Sequence, residues 1–267
     1  MTEKDNFIAK LEEFVTSLKS HISTEDGQWT VKGFIDIFKN VYTISSDTKI
    51  VSKILEFAQV NGYKVVLAGH QNYYPDISFV KASDESIRFA VDFKTTYRNP
   101  RKPHLCNGFT LGSHGEYFEN RTSTKNIQFP YGSYSGHFCL GIIYDRTLGA
   151  TIDETEVKKI DELHSIASVV RNFHFFVTEK WKIASDKGGS GNTANIGSIN
   201  NIAHIVTGEG MFSKLGEHWF DEYWMNYKKI TVQDGKGGTR KISTLREFVE
   251  YKNGDVSLVV DKWNGGE

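Results

Sequence analysis

The chain is poor in cysteine: Cys106 and Cys139 are its two, 33 positions apart and without a Cys-x-x-Cys partner. That spacing speaks against a disulfide frame or a structural zinc site, and for a reducing compartment with buried or incidental thiols. Long apolar runs are missing too, and no stretch approaches the length of a membrane span. The opening Met1-Thr2-Glu3-Lys4-Asp5 carries charges where a signal peptide would have an apolar core, so the expectation is a cytoplasmic protein with no membrane partner. Positive charge is not in excess either. A net charge of −1 weighs mildly against non-specific nucleic-acid binding, while leaving room for a concave basic cleft. His104, His114, His137, His164 and His174 are scattered, which suits core or surface roles better than zinc ligation. No internal repeat is visible, and no low-complexity tract beyond glycine patches.

What is present suffices for a full core: 267 residues at 39% hydrophobic content make one domain over 1–267, with or without a small subdomain. Phe7, Ile8, Leu11, Phe14, Val15 and Leu18 recur at helical spacing and predict an amphipathic helix. Trp29 to Ile44 alternates and is read as a hairpin with its turn at Lys39-Asn40. A second helix is expected to start at Ser46-Asp47-Thr48 and to carry a core stripe of Ile50, Ile54, Leu55 and Ala58, ending near Asn61-Gly62. Glu56 lies on it, off the most apolar stripe.

Further strands are expected at Phe109–Leu111, Phe138–Tyr144, Phe173–Val177 and Trp181–Ala184, the second an unbroken apolar run typical of a central strand. Helices are expected at Phe212–Tyr227 and at Thr244–Tyr251, the latter opened by a Thr244-x-x-Glu247 capping box. Trp219 and Trp224 are assigned to helix packing. Strands and helices in this order indicate an α/β or α+β fold, a central mixed sheet flanked by helices.

The chemistry-bearing pattern is Asp92-Phe93-Lys94, with Asp92 sixteen residues beyond Asp76 of Pro75-Asp76. Ile87 to Thr95 reads as a strand, so Asp92 and Lys94 share one face while Ile87, Phe89, Val91 and Phe93 share the other. Asp76 to Val80 reads as the preceding strand and Lys81 to Ser86 as the turn, which lets Asp76 and Asp92 meet at one end of a hairpin. Two carboxylates plus a substrate phosphate suit a hard divalent cation such as magnesium. A neighbouring lysine can orient a water and offset developing negative charge. A Pro-Asp turn and a solvated Asp-x-Lys edge are common, so this pattern alone leaves a nuclease and a plain surface strand both open.

Two other segments bear on that choice. Arg98 to His104 is a basic run directly after the strand, with Arg121 and Lys125 beyond it, and positive charge beside a metal site is what a phosphate backbone requires. Gly188 to Ser198 is glycine-rich but lacks the P-loop lysine and the dinucleotide glycine spacing. It is either a flexible loop or a backbone that approaches a partner closely, where asparagine and threonine can meet base edges in a major groove.

Six blocks taken together carry a resemblance. Ser46-Asp47-Thr48-Lys49, His70 to Asp76, Asp92 to Tyr97, Phe109 to Gly112, Thr124 to Ile127 and Gly189 to Ser198 resemble, in the same order, the EcoRV family of type II restriction endonucleases, within the PD-(D/E)xK nuclease superfamily. The match runs from about Ser46 to Tyr227. The resemblance implies a restriction-endonuclease-like core and magnesium-dependent hydrolysis of double-stranded DNA, with manganese as a possible substitute. It further implies a palindromic target, GATATC cut blunt, and a homodimer whose interface uses about 28–44 and part of 150–165. On matching motifs Asp76 and Asp92 are the implied metal ligands, Lys94 the catalytic lysine and Glu56 a third acidic group, although the spacing near Glu56 is shorter here. Gly189, Ser190, Gly191, Asn192, Thr193 and Asn195 fall in the implied recognition loop, 185–198, where Ala194 stands in place of a threonine. Gln71 and Asn72 fall in the minor-groove loop, where His70 replaces a glutamine, and Thr95, Thr96, Lys125, Thr48 and Lys49 at backbone contacts. A restriction role also implies a cognate DNA methyltransferase as a genetic partner. A structure-specific repair or junction nuclease, or a non-catalytic DNA-binding module, are the alternatives.

Overall fold

The computed structural model describes residues 1–20, 52–70, 73–146, 159, 170–189, 194–235 and 237–260. The expected hairpin at 29–44, the helix start at 46–48 and nearly all of 150–165 lie outside them. The first helix, α1 (Glu3–Ser20), begins with a reciprocal cap: Thr2 Oγ1 accepts from the Asp5 N–H at 3.1 Å, and an Asp5 carboxylate oxygen accepts from the Thr2 N–H at 2.8 Å. After α2 (Ser52–Val60) come β1 (Tyr63–Leu67), β2 (Ile77–Lys81), β3 (Arg88–Asn99), β4 (Lys102–Cys106), β5 (Thr110–Ser113), β6 (Gly136–Arg146) and β7 (Val170–Glu179). A short turn of 3-10 helix, Lys180–Ile183, leads into β8 (Ala184–Gly188) and then β9 (Asn195–Ser198). The order closes with α3 (Ile202–Thr207), α4 (Glu217–Met225), a small ribbon of β10 (Thr231–Gln233) and β11 (Thr239–Lys241), and α5 (Leu245–Tyr251).

The main sheet is mixed, in the order β1-β2-β3-β6-β7, with β4 added to β3. Among the described residues its β3–β6 pairing is parallel, with Asp92 level with Cys139, and its other pairings are antiparallel. Both faces of the sheet are covered, which explains the unbroken apolar run in β6. One face carries Phe79, Phe89, Val91, Phe138, Leu140 and Val177 against Phe7, Leu11 and Val15 of α1 and Ile54, Phe57 and Ala58 of α2. The opposite face carries Ala90, Cys139, Ile143 and Phe176, and packs on a second core that includes Tyr74, Leu111, Ile196, Trp224 and Phe248. Gly141 is level with Phe176 across the β6–β7 pairing, and the Phe176 ring lies over it: a Cβ there would lie 2.0 Å from that ring. A second sheet, β5-β9-β8, stands beside the first and flanks the 190–193 segment.

Several expected details differ. Leu55 is exposed rather than in the helix stripe, because α2 turns Ile54, Phe57 and Ala58 inward. Trp181 to Ile183 is a 3-10 turn and the strand begins only at Ala184. The helix expected from Phe212 begins at Glu217, since Gly216 adopts φ 96° and breaks the preceding turn. At Thr244 the expected cap is present, its side chain accepting from the Glu247 N–H. Among the described residues no helix is long and apolar enough to cross a membrane.

Candidate active site

Asp92 and Lys94 lie at alternate positions of β3 and share the face that carries Ala90, while Phe89, Val91 and Phe93 go into the opposite core. The β2–β3 register pairs Ile77 with Val91, and one residue further along the same register Asp76 faces Asp92. An Asp76 carboxylate oxygen accepts a hydrogen bond from the Phe93 N–H at 2.6 Å, and Lys94 Nζ forms an ion pair with Asp92. The hairpin therefore gathers two carboxylates and one ammonium at the end of two central strands.

The electrostatics of this group are set by burial. Desolvation, reinforced by the Asp92 charge, pushes the Asp76 carboxyl up to about 7, against the opposing pull of Lys94 and the Phe93 N–H. Burial works to discharge Lys94, but the Asp92 carboxylate beside it prevails and holds the ammonium charged well above its ordinary range. A half-buried Asp76 and a buried Asp92 face each other with a single ammonium, Lys94, beside them, so the group carries more negative than positive charge. Their oxygen donors are of the kind a hard divalent cation prefers, and a cation would relieve the repulsion that keeps a proton near Asp76.

Glu56 does not join this pair. It is exposed on α2, which packs on the opposite face of the sheet, and among the described residues no three His, Cys, Asp or Glu side chains gather as a metal cluster. Thr96 is buried and its hydroxyl donates to the Asn107 carbonyl at 2.5 Å, so it braces the strand and is not a surface contact; Thr95 is half-buried. Lys125 is exposed and pairs with Glu116 at 3.4 Å. Arg121, expected in the basic surface, instead packs over the rings of Phe118 and Tyr131 and pairs with Asp221 at 2.8 Å. Gln71, Asn72, Thr48, Lys49 and Ser190, Gly191, Asn192 and Thr193 lie outside the described residues.

The base of the glycine-rich loop is described. The Gly189 N–H donates to the Asn195 carbonyl at 2.7 Å, closing the ends of the 190–193 segment. A Cβ on Gly189 would come within 2.6 Å of Thr110, so the glycine answers a close approach between this loop and β5. Beneath it a hollow of about 320 Å³ is lined by Asn107, Phe109, Lys187, Gly188, Gly197 and Asn200 among others. The end of β3 and the turn after it line another hollow of about 350 Å³, with Arg98, Arg146 and Arg171 on its walls. Arg146 and Arg171 were missed from sequence because they are brought to Arg98 only by the pairing of β6 with β3 and β7.

Comparison with known proteins identifies the family. A family model described as restriction endonuclease EcoRV matches residues 25–253. The chain is 35% identical over 235 residues to the type II restriction enzyme EcoRV of Escherichia coli, an alignment covering 84% of this chain and 93% of that protein.

Proposed function

This chain belongs to the EcoRV restriction endonuclease family and is a type II site-specific deoxyribonuclease, and on that premise we propose that Asp76, Asp92 and Lys94 are its cutting residues. The observation that carries the assignment is their convergence at one end of the β2–β3 hairpin. Asp76 and Asp92 would hold a divalent cation, magnesium with manganese as a substitute. When bound, such a cation supplies positive charge to the attacked phosphate and lowers the pKa of a water.

The protein side of the reaction follows from the protonation states. The Asp92 carboxylate favours the charged form of Lys94, which suits it to orienting the attacking water and the phosphate oxygens. Asp92 fixes the Lys94 head by their ion pair. Asp76 must give up its proton before it can act as a ligand, and the Phe93 N–H holds its carboxylate in place while it does so. Glu56, on the other face, is given no bond to the cation.

For recognition, the proposal assigns Gly189, Ser190, Gly191, Asn192, Thr193 and Asn195 to the major groove and Gln71 and Asn72 to the minor groove. Thr95, Lys125, Thr48 and Lys49 meet the DNA backbone. The expected target is GATATC, cut blunt by a two-fold homodimer in the cytoplasm, with interface segments at 28–44 and 150–165. A paired methyltransferase would protect the host sequence. Digestion of a plasmid of known sequence with magnesium, followed by sequencing of the ends, tests the reading. Discrete fragments with blunt GAT and ATC ends are expected; a smear, ends at structural features, or no cutting with magnesium or manganese would overturn it.

A further inference from the structure

Lys180 is 3% exposed, and among the described residues its Nζ has no hydrogen-bond partner. Its neighbours are aromatic faces: the ammonium lies 4.7 Å from the Tyr74 ring centre, 5.1 Å from Tyr131 and 5.5 Å from Phe118. Tyr117 stacks on Tyr74 at 5.5 Å and completes the cage, and the Tyr74 hydroxyl is held by His137 Nδ1 at 3.0 Å. Ring faces return only part of the hydration that a buried ammonium loses. Methionine would fill a similar space without that cost, so the charge itself calls for an explanation. Burial pulls the Lys180 ammonium down to about 7, and the Asp92 carboxylate is the largest influence holding its proton on.

The cage stands where the cutting and reading halves of the molecule meet. Tyr74 is followed directly by Pro75-Asp76, which carries one carboxylate of the pair. Lys180 opens the 3-10 turn that leaves β7 of the main sheet and enters β8, the strand that runs to the 190–193 segment. Gly112 brings β5 of the second sheet onto the same spot: a Cβ there would lie 3.6 Å from Lys180 Nζ and 3.6 Å from the Tyr74 ring. A shift of β8 or β5 on meeting DNA would therefore be felt at Tyr74 through one buried cation.

We propose that Lys180 is a positioning residue that couples the recognition loop to the Asp76–Asp92 pair through the aromatic cage it shares with Tyr74. The inference rests on the nuclease reading given above. Full-length Lys180→Met removes the charge at similar volume, and Lys180→Arg retains it. Each is compared with the unaltered protein on two duplexes, one containing GATATC and one with a single base pair of it changed. Binding without metal and thermal unfolding are measured alongside single-turnover cleavage with magnesium. K180M is expected to bind and unfold much like the unaltered protein, to cut the GATATC duplex roughly tenfold more slowly, and to lose part of its preference between the duplexes. K180R is expected to recover that preference. A purely structural role would lower stability and slow both duplexes equally. An unchanged preference in K180M, or no recovery in K180R, overturns the inference while cleavage by the unaltered protein leaves the nuclease reading standing. An unaltered protein that cuts neither duplex removes that reading and the inference with it. If K180M does not fold, Lys180→Gln is judged by the same outcomes.

Discussion

The Asp76 side chain is tied to the backbone of the strand opposite, its carboxylate oxygen accepting from the Phe93 N–H at 2.6 Å. Because Phe93 stands between Asp92 and Lys94, one bond fixes Asp76 relative to both. An asparagine can keep that bond through its amide oxygen while removing the charge. Asp76→Asn is therefore expected to fold and to bind DNA, yet to cut about a thousandfold more slowly or less, as loss of a ligand for a catalytic cation would require. Single-turnover cleavage beside metal-free binding separates the two properties. A variant cutting at the normal rate would remove Asp76 from the mechanism.

The elevated Asp76 carboxyl makes a second expectation, about pH. Its native value, about 7, lies above its ordinary value of 3.8, so between those limits the folded protein binds the proton more tightly than the unfolded chain does. Stability of the metal-free protein should therefore fall from this group as pH rises from about 4 to about 7, and level off above. Asp76→Asn should lack that component. Divalent cations compete with the proton, so calcium or magnesium should raise the unfolding temperature more at pH 8 than at pH 5.5. Thermal scans across pH, with and without cation, measure both effects; equal metal stabilisation at the two pH values would contradict the assignment.

The hairpin was legible in sequence because its information is local. Alternation over Ile87 to Thr95 separates Asp92 and Lys94 from Phe89, Val91 and Phe93, and the polar turn before it fixes the antiparallel return. The capping box at Thr244 was legible for the same reason. Glu56 was not, since which way a surface position on α2 looks depends on which face of the sheet the helix covers. Lys180 fell in the gap between the strands expected at Phe173–Val177 and Trp181–Ala184, and only the turn at 180–183 and the approach of Tyr74 and Tyr131 disclose its cage. Arg121 reads as surface charge until Phe118, Tyr131 and Asp221 enclose it.

The core under α1 makes a stability prediction independent of catalysis. Phe7 is fully buried, stacks on Phe89 at 4.2 Å and meets Tyr63, Phe79 and Phe138 at 5.3–5.4 Å between ring centres. Five rings converge there, so little can move in to fill the space left by truncation. Phe7→Ala should cost about 3–5 kcal/mol in urea unfolding, through lost burial plus a residual cavity. A cost below about 1 kcal/mol would mean that α1 does not pack on the sheet as described.

Recognition is best tested at Asn192, since asparagine can pair bidentately with adenine and the loop that carries it is closed at its base. The Gly189 N–H to Asn195 carbonyl bond closes that base at 2.7 Å. Below it, a Cβ on Gly197 would lie 2.5 Å from the Lys187 carbonyl, which leaves β8 and β9 no slack. Asn192 is assigned to a base edge and not to a phosphate, so its removal should appear as lost discrimination and not as general loosening. Asn192→Ala should lose about 1–3 kcal/mol of preference at one base pair of the target in each half-site. Binding to unrelated DNA should scarcely change, because phosphate contacts supply that affinity and stay in place. A two-fold dimer meets the same contact twice on a palindrome, so a target altered in both halves should be discriminated by about the sum of the two losses. Competition binding and cleavage across all single-base variants of GATATC measure this position by position; a loss spread evenly over every position would remove Asn192 from base recognition.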